Sequence, residues 1–93
     1  RYLICTTTAD SGKRRSPLTI AVTRPGSRLF HRVYRIRDSE WPASPGDPTK
    51  GALSYPYAVE HQKHLYVGYS NNGGRRGNVN SAELAVIPVA SLR

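Results

Sequence analysis

Acidic residues, cysteine and long apolar runs are all scarce in this chain. Six Asp and Glu stand against fourteen Lys and Arg, a formal net charge of +8. Such an excess admits a nucleic acid, an anionic carbohydrate or simply a basic surface. Arg24, Arg28, Arg32, Arg35 and Arg37 are scattered through one hairpin without the evenly placed aromatics on which single-strand binders stack bases, so a nucleic acid is not favoured. The one cysteine, Cys5, excludes an internal disulfide, and its apolar neighbours predict a buried, inert thiol. No apolar run reaches the roughly 18 residues of a membrane span, and no basic-then-apolar export signal opens the chain. A large core is also excluded. With 93 residues, 38% of them apolar, there is material for one small domain, which alone buries about 60% of its unfolded surface. The chain opens on Arg1 and enters an extended run at once, the pattern expected of a piece of a longer protein. His31, His61 and His64 lack metal-ligand spacing, so neither a metal site nor a cofactor is expected.

Apolar residues at helical spacing are missing too, whereas seven prolines and eight glycines punctuate short extended runs. The expected fold is all-β and antiparallel. Strands are predicted over Tyr2–Thr8, Pro17–Arg24, Phe30–Arg37 and Ala82–Val89. A hairpin over 53–70 supplies two more, with Glu60–His64 as its turn. In Phe30–Arg37, Tyr34 and Ile36 alternate with Val33, Arg35 and Arg37, predicting one apolar and one charged face. Ala9–Ser16, Asp38–Gly51 with Trp41, and Asn71–Asn80 read as loops. Within the hairpin Tyr55 precedes Pro56, which is expected to hold Tyr55 extended. Strands spaced in this way suit a sandwich, a barrel or a propeller. Two propeller blades of about 40–50 residues would account for the length, roughly 1–52 and 53–93. The exposed faces would then meet further blades or other copies of the chain.

Two motifs carry a resemblance. Arg15-Ser16-Pro17-Leu18-Thr19-Ile20-Ala21-Val22, followed by Tyr55-Pro56-Tyr57-Ala58-Val59-Glu60-His61 and Leu65-Tyr66-Val67-Gly68-Tyr69-Ser70, resembles the C-terminal part of the sialidase (neuraminidase) superfamily. These are six-bladed propellers, here most similar to bacterial proteins with BNR repeats, and the resemblance spans nearly the whole chain. It implies a secreted or periplasmic glycoside hydrolase acting on sialic acid or another acidic glycan. In that family an arginine before such a strand clamps the substrate carboxylate, a place that Arg15 occupies, with Arg14 as the neighbour one register away. A guanidinium fork pairs both carboxylate oxygens and stays charged at any working pH. The family's tyrosine nucleophile maps onto Tyr55. Sialidases depart from the two-carboxylate scheme of most glycosidases, and a phenol of pKa about 10 needs a carboxylate base beside it.

The resemblance places that base, the acid/base aspartate and two further clamp arginines upstream of this chain. Glu60, Asp38 and Glu40 read as solvated loop carboxylates. Two departures stand out: Thr23–Phe30 has Pro25 and Phe30 where the family repeat has aspartate and tryptophan, and Pro56 replaces a common serine. The chain alone is therefore expected to be inactive. The other class of function is a noncatalytic piece that binds acidic glycans or assembles with copies of itself.

Overall fold

The computed structural model describes residues 1–6, 15–38, 51–75 and 79–93. Six strands form two antiparallel three-stranded sheets. The first sheet holds β1 (Tyr2–Cys5), β2 (Leu18–Thr23) and β3 (Phe30–Arg37) in spatial order. The second holds β4 (Leu53–His61), β5 (His64–Asn71) and β6 (Ser81–Pro88), followed by a 3₁₀ turn at Val89–Leu92. The expected all-β, antiparallel architecture is what the chain forms. Among the described residues no helix is long and apolar enough to cross a membrane.

The two sheets share one core. Leu18, Ile20 and Val22 from β2 meet Leu65, Val67 and Tyr69 from β5, with Leu53 and Leu92 completing the cluster. The period-2 pleat explains the pattern, because alternate residues of each central strand point to the same side. In β5 buried residues alternate with half-buried ones, whereas all six residues of β2 are buried. The outward members of β2 are Thr19, Ala21 and Thr23, two of them tied down by Thr19 Oγ1 donating to Cys5 O and Thr23 N–H donating to Arg1 O. Ile20 and Val67 are fully excluded from solvent, and each such side chain is worth about 1.5–3 kcal/mol relative to exposure. Cys5 is half-buried and free, rather than buried as its neighbours in sequence suggest.

Several boundaries move. The β4–β5 turn is not Glu60–His64 but the two residues Gln62-Lys63, since Glu60 and His61 pair with Leu65 and His64. Both turn residues have positive φ, 47° and 64°, the geometry whose twist matches a two-residue hairpin. Glu60 thus stands in a strand and not in a loop. β1 ends at Cys5, and β6 runs over Ser81–Pro88, one residue earlier than expected. Residues 7–14, 39–50 and 76–78, which include Arg14, Glu40, Trp41 and most of the expected loops Ala9–Ser16 and Asp38–Gly51, lie outside the described residues. Each sheet contains three described strands, against the four of a propeller blade.

The hairpin turn yields a direct expectation. L-residues held at positive φ cost about 1 kcal/mol each, so Gln62→Asn combined with Lys63→Gly should raise stability by about 1 kcal/mol. Urea unfolding followed by circular dichroism measures this. An unchanged or lowered midpoint would show that the turn is not strained in this way.

Candidate functional site

The candidate site is built where β2 and β4 begin. The Leu53 amide donates to the carbonyl of Arg15 at 2.7 Å, so the approach to β2 is fastened to the first residue of β4. Two residues further on, β4 bulges: Ser54 pairs with Ser70 and Tyr57 with Gly68, leaving Tyr55 and Pro56 together opposite Tyr69. Proline has no amide to give to the ladder, and a bulge is one of the few places within a sheet that accepts it. Tyr55 is expelled from the sheet and is 72% exposed. The Arg15 guanidinium lies over its ring, 5.3 Å from the centroid, a cation–π distance.

The backbone of Tyr55 departs from expectation. Its φ is 54°, in the left-handed region, where Pro56 was expected to keep it extended. The ladder absorbs one extra residue within a single step, and here the bulge does so with its first residue left-handed. The Ser54 and Ser70 hydroxyls, 2.9 Å apart, secure the ladder just before the bulge. A left-handed tyrosine costs about 1–2 kcal/mol, a cost that well-determined surroundings can hold at a site where a side chain must be aimed.

The same end of the molecule gathers polar residues that sequence did not connect. A second irregularity, between Leu18 and Thr19, pairs Leu18 with Arg37 and Thr19 with Arg35. Arg37 therefore leaves the charged outer face to which alternation assigned it and turns inward. Its Nε donates to Glu83 of β6 at 3.1 Å, and its Nη1 donates to the carbonyl of Asp38. Asn71 Nδ2 donates to the other oxygen of Glu83 at 3.3 Å. Burial pushes the Tyr69 hydroxyl up to about 12, and its hydrogen bond to Glu83 adds to the effect. Burial also works against ionisation of Glu83, yet hydrogen bonds from Arg37, Tyr69 and Asn71 outweigh it and hold the carboxyl below its ordinary range. The cluster latches β3 to β6 across the core.

The glycine-rich segment after β5 is an ordered turn as far as it is described. Asn71 Oδ1 accepts from Gly73 N–H, and Asn72 Oδ1 from Gly74 N–H and Ala52 N–H. Gly73 and Gly74 both have positive φ, 63° and 71°, which suits glycine. Arg75 then reaches back to donate to Ser81 Oγ at 3.1 Å.

Of the predicted site residues, Arg15 and Tyr55 are brought together, and Arg14 lies outside the described residues. Arg37, Arg75, Tyr69 and Glu83 are additions at the same end. Arg37 and Glu83 are 46 residues apart, and no local pattern in the sequence links them. Tyr69 packs in the core, and its hydroxyl also serves the latch. Tyr57 is 79% exposed. Comparison with family models, curated proteins and solved structures finds no match to this chain. The side chains themselves must say what this end can do. An exposed guanidinium and an exposed phenol on an open ledge can engage an anionic group and present a hydroxyl to it. Tyr55 has no carboxylate against it among the described residues: Asp38 pairs with Arg35 at 3.5 Å and Glu83 with Arg37, while Glu60 is near the far end of β4.

The latch makes stability depend on pH in two windows. Glu83 titrates lower when folded, so its contribution is present above the ordinary carboxyl range and lost as pH falls through the folded value. Tyr69 titrates higher, so its contribution is complete below pH 10 and lost towards about 12. Glu83→Gln should lower stability by about 1–3 kcal/mol at pH 7 and flatten the acid-side loss. Tyr69→Phe should remove the alkaline loss. Urea midpoints at pH 3, 7 and 11 check both, and a Glu83→Gln midpoint equal to wild type at pH 7 would show that the latch adds nothing.

Proposed function

We propose that this chain supplies part of a sialidase-like glycoside hydrolase site for an acidic glycan, with Arg15 as carboxylate clamp and Tyr55 as nucleophile. One observation carries the reading: two residues 40 apart in sequence, singled out by a resemblance in motif, lie with the guanidinium 5.3 Å from the phenol ring. The carboxylate of a sialic acid is attached to its anomeric carbon. A clamp and a nucleophile must therefore sit within one sugar ring of each other, as these two do.

In this mechanism Arg15 orients the sugar by its carboxylate, and the Tyr55 oxygen attacks the anomeric carbon as the aglycone leaves. A phenol carries no charge to repel the substrate carboxylate, which favours tyrosine over aspartate or glutamate here. The proton on Tyr55 must pass to a carboxylate brought from beyond the described residues. Arg75 stands at the same end of the sheets, where its guanidinium can meet a sugar hydroxyl beside Ser81. Exposed Tyr57, Val59, Leu84 and Val86 lie on the outer face of the second sheet, around Gly68, where an added Cβ would meet open space. An apolar face of this kind supports packing against further blades or another copy of the chain.

Tyr55→Phe removes the nucleophile while keeping the ring beneath Arg15, so turnover of an aryl sialoside should fall at least about a thousandfold with its binding little changed. Arg15→Lys, which loses the fork, should weaken binding about tenfold or more. Both are measured on the chain joined to whatever polypeptide naturally continues it. Unchanged turnover in Tyr55→Phe would remove the nucleophile assignment. Binding without turnover in wild type, weakened by Arg15→Lys, would instead indicate a noncatalytic glycan-binding site.

A further inference from the structure

The opposite end of the molecule holds a cavity of about 600 Å³, lined by Arg1, Arg24, Arg32 and Arg93 together with apolar residues of both sheets. It lies where β1 and β3 begin and β2 ends, roughly 20 Å along β2 from Arg15 at about 3.3 Å per residue. Its apolar lining includes Tyr2, Val22 and Leu92, of which Val22 and Leu92 are buried members of the core. The lining contains His31 but no Asp or Glu side chain. None of the four arginines forms an ion pair among the described residues, whereas Arg35 and Arg37 are both paired with carboxylates. This distribution is informative. Arg24 and Arg32 carry like charges that repel each other across one concavity, and nothing in the fold requires either, both exposed, to stand there. The volume is that of a small-molecule site, and an apolar floor with a cationic rim fits a ligand built the opposite way.

We propose that this cavity binds a small amphipathic anion: a phosphate, sulfate or carboxylate head on a planar apolar body. The head is held by Arg24 and Arg32 at the rim, and the body rests on Val22 and Leu92. The geometry explains why both parts are needed. Guanidinium groups this exposed hold an isolated anion weakly, because water and salt screen them. An apolar body alone gains little from so small a floor. Joined in one ligand, the two contacts share a single loss of translational freedom, so the whole binds more tightly than either half. The site uses neither Arg15 nor Tyr55 and stands independently of the hydrolase reading.

The probes are 1-naphthyl phosphate, 1-naphthol, inorganic phosphate and 1-naphthalenesulfonate, followed by methyl shifts of Val22, Val89 and Leu92 in NMR titrations at 0.15 M salt. Naphthyl phosphate should bind at least about tenfold tighter than naphthol or inorganic phosphate and shift these methyls. Comparison with the sulfonate then tells which head the site prefers. Arg24→Gln with Arg32→Gln should weaken naphthyl phosphate about tenfold or more, since hydrogen bonds to charged groups are lost, while Arg28→Gln, outside the lining, should not. Removing two unpaired like charges should leave the thermal midpoint of the double variant equal or higher, so loss of binding would not reflect unfolding. The proposal is overturned if naphthyl phosphate binds no tighter than inorganic phosphate, or if the double variant binds it as wild type does. It is equally overturned if a single-stranded oligonucleotide binds through the same arginines far more tightly than any of these probes, which would make the rim a nucleic-acid surface.

Discussion

The structure depends on one contact: the inner faces of the two central strands, Leu18, Ile20 and Val22 against Leu65, Val67 and Tyr69. Apart, each three-stranded sheet would leave its inner apolar face in water, with nothing to offset the entropy of ordering its chain. Facing each other, they bury a common cluster that also captures Leu53 from the start of β4 and Leu92 from the terminal 3₁₀ turn. Every polar feature described above lies at one end or the other of this contact. Weakening it would disperse both.

At the end bearing Arg15 and Tyr55 the backbone does the positioning. Two of the three irregularities in the ladders lie at this end and redirect two side chains in opposite senses. The bulge at Tyr55-Pro56 expels a tyrosine into solvent, and the shift beside Leu18 draws Arg37 in towards Glu83. Extra residues in a ladder reverse the alternation of faces beyond them, so one insertion can move a charged residue from the outside to the interior. The Arg37–Glu83 pair is sheltered enough for its hydrogen bonds to outweigh desolvation of the carboxylate. At the other end, charges are gathered but not paired. The two ends thus differ in kind: one spends its arginines partly on the fold, and the other leaves them facing a cavity.

Much of the architecture could be read from residue order. The antiparallel all-β class followed from short β-branched runs between prolines and glycines, and β2, β3 and β6 lie within two residues of their expected limits. Arg15 and Tyr55, picked out in separate stretches of the sequence, stand side by side in the fold. The two-residue turn at Gln62-Lys63 was not: neither residue is one that usually marks positive φ, so the polar run Glu60–His64 looked like a longer loop. Arg37 was assigned to the wrong face because strict alternation holds only while the register is unbroken, and Arg37 stands next to a break in it.

The sequence by itself determined the strand-forming runs, the excess of positive charge and the positions where proline and glycine interrupt a ladder, since these are properties of local sterics and composition. Only the tertiary structure decided which arginines are neutralised, which tyrosine is buried and which exposed, and which distant residues meet. Those outcomes depend on the register between strands and on the packing of one sheet over the other. Arg37 finds Glu83 across 46 residues, and Arg24 and Arg32 find no carboxylate among the described residues. Long-range contacts of this kind are set by the shared core, which no single stretch of the chain contains.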